Sequence, residues 1–329
     1  MTRRNLCALA LVLVFFAGIA FGQAGKVPTL AYKAVEVWPM PAPSAIGAPG
    51  PWNFGQVSGV AVNSNGNILV LHRGAHPILE FASSGEFLRS WGEGLFSEGK
   101  VFTVDPQYQV EGRTIHSGVY GPAGCASCGA HSIRVDRQEN IWVADASGHV
   151  IYKMDQRGQV IMQLGTKGIS GTGQRTFNLP TDVAFAPNGD IYVSDGYANE
   201  RIVRFSPAGK YLMEWGTRGS GPGEFTLPHN LAIDAQGRVY VTDRENQRIQ
   251  VFDPNGKFLQ EWPGIGGISA LVMTNDQQLW AGDGLFDLEG NLLGKLPGPS
   301  GGAHGVAVAD SGDIYLAQLS GSVRKFIKD

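Results

Sequence analysis

Three of the chain's seven histidines share one register of an internal repeat. Aligned without gaps, six segments begin Ser58-Gly-Val-Ala-Val, His131-Ser-Ile-Arg-Val, Thr181-Asp-Val-Ala-Phe, His229-Asn-Leu-Ala-Ile, Ser269-Ala-Leu-Val-Met and His304-Gly-Val-Ala-Val. His131, His229 and His304 open the second, fourth and sixth segments. In a closed ring of six, alternate members face the axis about 120° apart, the arrangement a three-imidazole metal site needs. Three neutral imidazoles leave the fourth position of a zinc ion open for substrate or water. An ion so held lowers the pKa of a bound hydroxyl and polarises oxygens. One histidine at the start of a strand would read as a hydrogen-bonded structural residue; the repetition points to metal.

If each segment is a hairpin turning about eight residues in, the residue fifteen places on lies beside the first. That place holds Arg73 in the first segment and Arg244 in the fourth, and Tyr197 stands one place further in the third. Arginine offers a planar fork to a carboxylate. A phenol beside a cation loses its proton more easily and can act as a base. Tyr197 also has a structural reading, as a cap on the channel wall. His72 and His76, flanking Arg73-Gly-Ala, read as surface or supporting residues, and His116 and His149 carry no signal.

The elements that must position these side chains are short strands. Glycine is abundant, with 46 residues, charged residues are 17% of the chain, and no long stretch has a helical apolar period. Each segment opens with the period-two alternation of a strand. Gly66, Gly189, Gly237 and Gly312 mark hairpin turns at the ninth position of four segments. Second strands are predicted at 67–71, 140–144, 190–194, 238–242, 278–281 and 313–317. Outer strands follow at 201–205 and 211–215, and at 248–252 and 258–262. Four antiparallel strands in each of six units make an all-β, six-bladed β-propeller. The last unit has only three strands before the chain stops, and an unassigned strand at 32–38 precedes the first. The N-terminal strand is therefore expected to complete the last blade and remove two exposed edges. The repeats use nearly the whole chain, so residues 23–329 read as one domain. Successive segments begin 73, 50, 48, 40 and 35 residues apart, which places a long insertion at about 92–128.

Residues 1–22 read as an export signal, with Arg3 and Arg4 before an apolar run from Leu6 to Phe21. A secreted or periplasmic protein is expected, with no membrane association after cleavage; a permanent membrane anchor is the competing reading, for which the apolar run is short. Loss of those two arginines moves the formal charge from −3 to −5, and no basic run remains to bind nucleic acid. A monomer is expected. Cys7 leaves with the signal. Cys125 and Cys128 read as a local disulfide or, with His131, as a zinc site; Gly129 stands where haem attachment would need histidine.

From about residue 55 onward the chain resembles the NHL-repeat propellers and, among them, the peptidyl-α-hydroxyglycine α-amidating lyases. The resemblance lies in Gly55-Gln-Val-Ser-Gly-Val-Ala with Leu71-His-Arg-Gly-Ala-His76, in Pro180-Thr-Asp-Val-Ala with Ser194-Asp-Gly-Tyr-Ala-Asn-Glu-Arg-Ile, and in Leu227-Pro-His-Asn-Leu with Asp243-Arg-Glu-Asn. It implies zinc on His131, His229 and His304, with Arg73, Tyr197 and Arg244 around a small-molecule or peptide substrate bearing a carboxylate. The implied reaction splits the C–N bond of a peptidyl α-hydroxyglycine into an amide and glyoxylate. In the NHL signature Asp243 and Arg248 pair structurally, which gives Arg244 a scaffold reading as well. The resemblance also implies a structural calcium held partly by the backbone carbonyls of Val60 and Ile133. The family's Met-Pro-His-Asp is here Gly302-Ala303-His304-Gly305, so the acid for that calcium is missing. The family's disulfide positions, 178 with 198 and 240 with 251, lack cysteine. Two other readings stand beside the lyase: a non-catalytic NHL module binding a peptide, glycan or protein, and a lactonase-like metal-dependent hydrolase, which would want carboxylates and asparagine around calcium.

Overall fold

The computed structural model describes residues 27–42, 52–97, 108–110, 113–115, 129–298 and 302–329. Its strands form six four-stranded antiparallel sheets, in five of which each strand pairs with the next in sequence, together with two two-stranded pairs, and no helix occurs among the described residues. The first strands, Val57–Val62, Ala130–Val135, Asp182–Phe185, Pro228–Ile233, Leu271–Met273 and Ala303–Val308, pack against one another in order around the ring. The last meets the first, so the ring is closed. The chain is a six-bladed β-propeller.

The sixth blade takes its outer strand from the N-terminal side. Tyr32–Ala34 pairs with Ser322–Lys328 in the register Tyr32↔Lys328, Lys33↔Ile327, Ala34↔Phe326. This strand is shorter than the span 32–38 predicted from sequence. Past Val35 the chain leaves the sheet, and Trp38 tucks into the seam of blades six and one, its ring centroid 5.0 Å from Tyr315 and 5.6 Å from Phe81. Burying the indole there outweighs continuing the ladder.

Each interblade space is filled by apolar side chains from two neighbouring blades, giving six core clusters around the ring. One register supplies much of the mass. Leu69, Trp142, Tyr192, Tyr240, Trp280 and Tyr315 each stand eleven places after the start of their segment and are buried. At roughly 1.5–3 kcal/mol for each large apolar side chain removed from water, this layer is a principal source of stability. The second strands begin one residue later than the sequence pattern predicted, at Ile68, Ile141, Ile191, Val239, Leu279 and Ile314. Their preceding residues belong to the turns.

Those turns demand a left-handed residue at the ninth position. Gly66, Gly189, Gly237 and Gly312 have φ between 74° and 87°, and Glu139 and Gln277 adopt φ of 63° and 61° at the same place. Both side chains have other partners: the Glu139 carboxylate accepts from Ser64 N at 3.0 Å, and Gln277 Oε1 from Ala235 N at 2.7 Å. Each reaches the turn of the preceding blade. Of the predicted insertion, 92–97 anchors on blade two, where Ser97 N donates to Asp145 and Phe96 packs on Tyr152. Tyr108–Val110 and Arg113–Ile115 pair antiparallel. The signal segment, Cys7, Cys125, Cys128 and His116 lie outside the described residues.

Candidate metal centre

A β-bulge aims each histidine. Ala130 pairs with Asp145 and Ser132 with Ala144, so His131 is an extra residue with no partner across the ladder. His304 is extra in the same way between Ala303 and Gly305. In blade four the slip falls between Pro228 and Leu231 and takes in His229 and Asn230. An extra residue bends its strand and redirects its side chain. The bulge also changes the pairing expected from sequence. Arg73 N and Arg244 N donate to the carbonyls of Gln56 and Leu227, two residues before the register position rather than at it.

The three imidazoles converge. Their ring centroids lie 4.8, 4.8 and 5.0 Å apart, and their ligand nitrogens all lie within 4.8 Å of one another. Each Nδ1–H is fixed by the blade that follows. His131 donates to Thr181 O at 2.6 Å, His229 to Ser269 O at 3.1 Å and to Asn230 Oδ1 at 2.7 Å, and His304 to Ser58 O at 2.7 Å. Thr181, Ser269 and Ser58 are themselves the first residues of segments three, five and one. A neutral ring that donates through Nδ1 carries its lone pair on Nε2. Nitrogens bound to a tetrahedral zinc at about 2.0–2.1 Å stand roughly 3.4 Å apart. Gathering these onto one ion therefore takes a contraction of at most about 1.4 Å. The donor set fits a soft-to-borderline divalent ion such as zinc.

Electrostatics keep these rings neutral. All three are buried and have pKa values below the usual imidazole value, His304 down to about 3. Desolvation is the largest cause for each. For His131 the other imidazoles come next, then Arg73; for His229, Arg244 comes next; for His304, Arg73. A neutral ring is the form that binds a metal.

The remaining sequence candidates gather on the same rim. Tyr197 Oη lies 2.9 Å from His131 Nε2 and 3.3 Å from His229 Nε2, so its one proton is shared between two ligand nitrogens. Arg73 donates to Ala130 O at 3.2 Å and to Gln56 Oε1 at 2.5 Å. Arg244 pairs with Glu245 at 2.8 Å. Asp243 pairs instead with Arg248, Nε to Oδ2 at 2.9 Å, which is the scaffold bond of the NHL signature. His72 is a buried structural residue, its Nδ1 bonded to Phe54 O at 2.8 Å, and His76 meets Glu93 at the surface.

The calcium site is not supported by the residues present. A Cβ at Gly305 would stand 3.1 Å from Gly59 Cα and 3.3 Å from Val60 N, so an acidic side chain there would have to push apart the strands of blades six and one. Val60 and Ile133 lie on the neighbouring first strands Val57–Val62 and Ala130–Val135, without that carboxylate.

Sequence reasoning missed a polar layer beside the histidines: the buried Asp182 and Asn230 with the half-buried Arg134. Its signal was present. Asp182 and Asn230 follow the register position directly, where the first and sixth segments have glycine, and Arg134 is the one charged residue at a place otherwise held by alanine or valine.

Comparison with known proteins bears on this geometry. A family model described as a 6-bladed beta-propeller matches residues 180–263. The peptidyl-glycine alpha-amidating monooxygenase of Mus musculus is 37% identical over 170 residues, 49% of this chain and 16% of the relative. The probable peptidyl-alpha-hydroxyglycine alpha-amidating lyase of Caenorhabditis elegans is 35% identical over 168 residues, 49% of this chain and 44% of the relative. Over about half of its length the chain is homologous to proteins named as peptidyl-alpha-hydroxyglycine alpha-amidating lyases. Each of these two alignments covers less than half of the relative. Among solved structures, a streptogramin B lyase superposes with TM-score 0.56 at 14% identity, covering 84% of this chain and 95% of that one. A gluconolactonase from Xanthomonas campestris reaches TM-score 0.57 at 16% identity over 92% and 99%. These show the fold alone.

Proposed function

We propose that the rim is the active site of a zinc-dependent lyase acting on a peptidyl α-hydroxyglycine or a similar carbinolamide. The observation that carries this reading is the meeting of three Nδ1-locked imidazoles whose Nε2 atoms share one small volume with the phenol of Tyr197. Named lyases among the homologues support the reaction class.

His131, His229 and His304 would hold the ion, which when bound supplies positive charge to acidify and polarise the substrate's α-hydroxyl. The Arg73 and Arg244 guanidiniums offer forked donors for the substrate carboxylate. Their positive charges also hold the imidazoles neutral, since both depress the pKa of His304. Tyr197, having given up its own proton beside a bound cation, would as phenolate stand where it can take the hydroxyl proton as the C–N bond breaks. That proton ends on the departing amide nitrogen, giving a primary amide, while the hydroxyl-bearing carbon becomes the aldehyde of glyoxylate. Atoms and electrons balance with no redox partner. Among the described residues no carboxylate joins the histidine cluster, which disfavours a lactonase-type calcium centre there.

The test is glyoxylate release from a synthetic α-hydroxyglycine peptide by purified, zinc-loaded protein. Turnover that disappears in His229→Ala supports the proposal. A zinc-loaded protein that releases no glyoxylate removes this substrate class.

A further inference from the structure

A guanidinium crosses the axis of the propeller beside the histidines. Arg134, on the first strand of blade two, donates through Nε to Asp182 Oδ1 at 3.0 Å and through Nη2 to Asp182 Oδ2 at 2.5 Å, and Asp182 belongs to blade three. The same Nη2 reaches Leu271 O of blade five at 3.0 Å. Blades two and five are opposite members of a ring of six, so the side chain spans the channel. Asp182 is fully buried, and its Oδ2 also accepts from Asn230 Nδ2 at 2.8 Å and Leu231 N at 3.1 Å. The carboxylate thus has four donors. With Asn230 Nδ2 committed to Asp182, its Oδ1 faces His229 Nδ1 at 2.7 Å.

Leu271, Val60 and Ile133 occupy the same place, two after the start of their segments. Arg134 therefore brings positive charge to the layer of backbone carbonyls where the family resemblance would put calcium. A divalent ion added there would face that charge, would find the Asp182 carboxylate already paired, and would lack an acid at Gly305. We propose that Arg134 is the channel's resident cation in place of a structural divalent ion. Through Asp182 and Asn230 it sets the ring of the metal ligand His229. The second half rests on the zinc reading above; the first does not. Asn230 and Asp182 are positioning residues. The hydrogen-bonded partners of ligating histidines fix ring orientation, and their loss typically weakens metal binding by about 10- to 100-fold.

The experiment compares the full-length wild type, Asn230→Ala and Arg134→Met. The metal-free wild type is expected to melt at the same temperature with and without calcium chloride; a rise on adding calcium overturns the resident-cation assignment. Asn230→Ala is expected to fold but to bind zinc about 10- to 100-fold more weakly in chelator competition, with a changed visible spectrum when loaded with cobalt(II). Wild-type affinity with an unchanged spectrum overturns the relay. Arg134→Met is expected to melt lower than wild type, and an equal melting temperature counts against the proposal. Should that variant not fold, the calcium comparison and Asn230→Ala carry the test. A wild type that binds neither zinc nor cobalt sinks the zinc reading and the relay with it, while the calcium comparison still decides the cation.

Discussion

His131, His229 and His304 are prepared as ligands by two local facts: a backbone carbonyl of the next blade, joined at His229 by Asn230 Oδ1, holds each Nδ1–H, and burial keeps each ring neutral. The pH dependence follows in sign. In the unfolded chain these groups take up protons near pH 6.5, whereas in the folded protein they resist protonation until well below that, His304 until about pH 3. Their contribution to stability is therefore complete above about pH 6.5 and is lost as pH falls toward 3. Zinc bound by rings of depressed pKa should survive dialysis below pH 6.5 and be released as pH approaches the folded values, which metal analysis across a pH series would check. Release tracking the ordinary imidazole pKa would contradict it. Tyr197 carries a separate expectation. Tyr197→Phe should keep zinc and lose about 10²- to 10⁴-fold in turnover, the usual contribution of a positioned proton-transfer group. An unchanged rate takes the phenol off the proton path.

Among the elements, the bulges and turns decide what could be read from sequence. The register that carries the histidines was legible because one residue type recurs in alternate repeats, and Gly66 and its equivalents announced the turns. The bulge was not legible, since an extra residue leaves the period-two pattern of Ala130–Val135 or Ala303–Val308 almost intact. A simple hairpin therefore placed Arg73 and Arg244 opposite the histidine register, whereas they pair two residues earlier. Their side chains reach the rim all the same. The Arg134–Asp182 pair was hidden because its partners lie on different blades, 48 residues apart. The calcium expectation meets its obstacle at this scale too. Gly305→Asp should destabilise the fold by roughly 1–3 kcal/mol through overpacking against Gly59 and Val60, measured by denaturant unfolding, and calcium should not restore it. A stable variant that gains calcium-dependent melting would contradict this.

Over the whole molecule, six interchangeable blades give a fold whose integrity depends on closure. Tyr32–Ala34 seals blade six, and His304 reaches Ser58 across the seam between the last segment and the first. The metal centre and the ring closure therefore share a bond. A chain lacking residues through Ala34 would expose the edge of Ser322–Lys328. It should melt at lower temperature and bind zinc less tightly, which calorimetry and chelator competition on the truncated protein would check. Unaltered melting would deny the N-terminal strand its closing role.

The direct test of the central claim is a zinc titration of the purified protein alongside His131→Ala, His229→Ala and His304→Ala, with folding of each verified by circular dichroism. The expected result is one tightly bound zinc per wild-type chain and loss of that binding in every single variant, because the ligands come from three blades and act together. Zinc bound equally well by any one of the three variants, or absent from the folded wild type, would contradict a shared three-imidazole site.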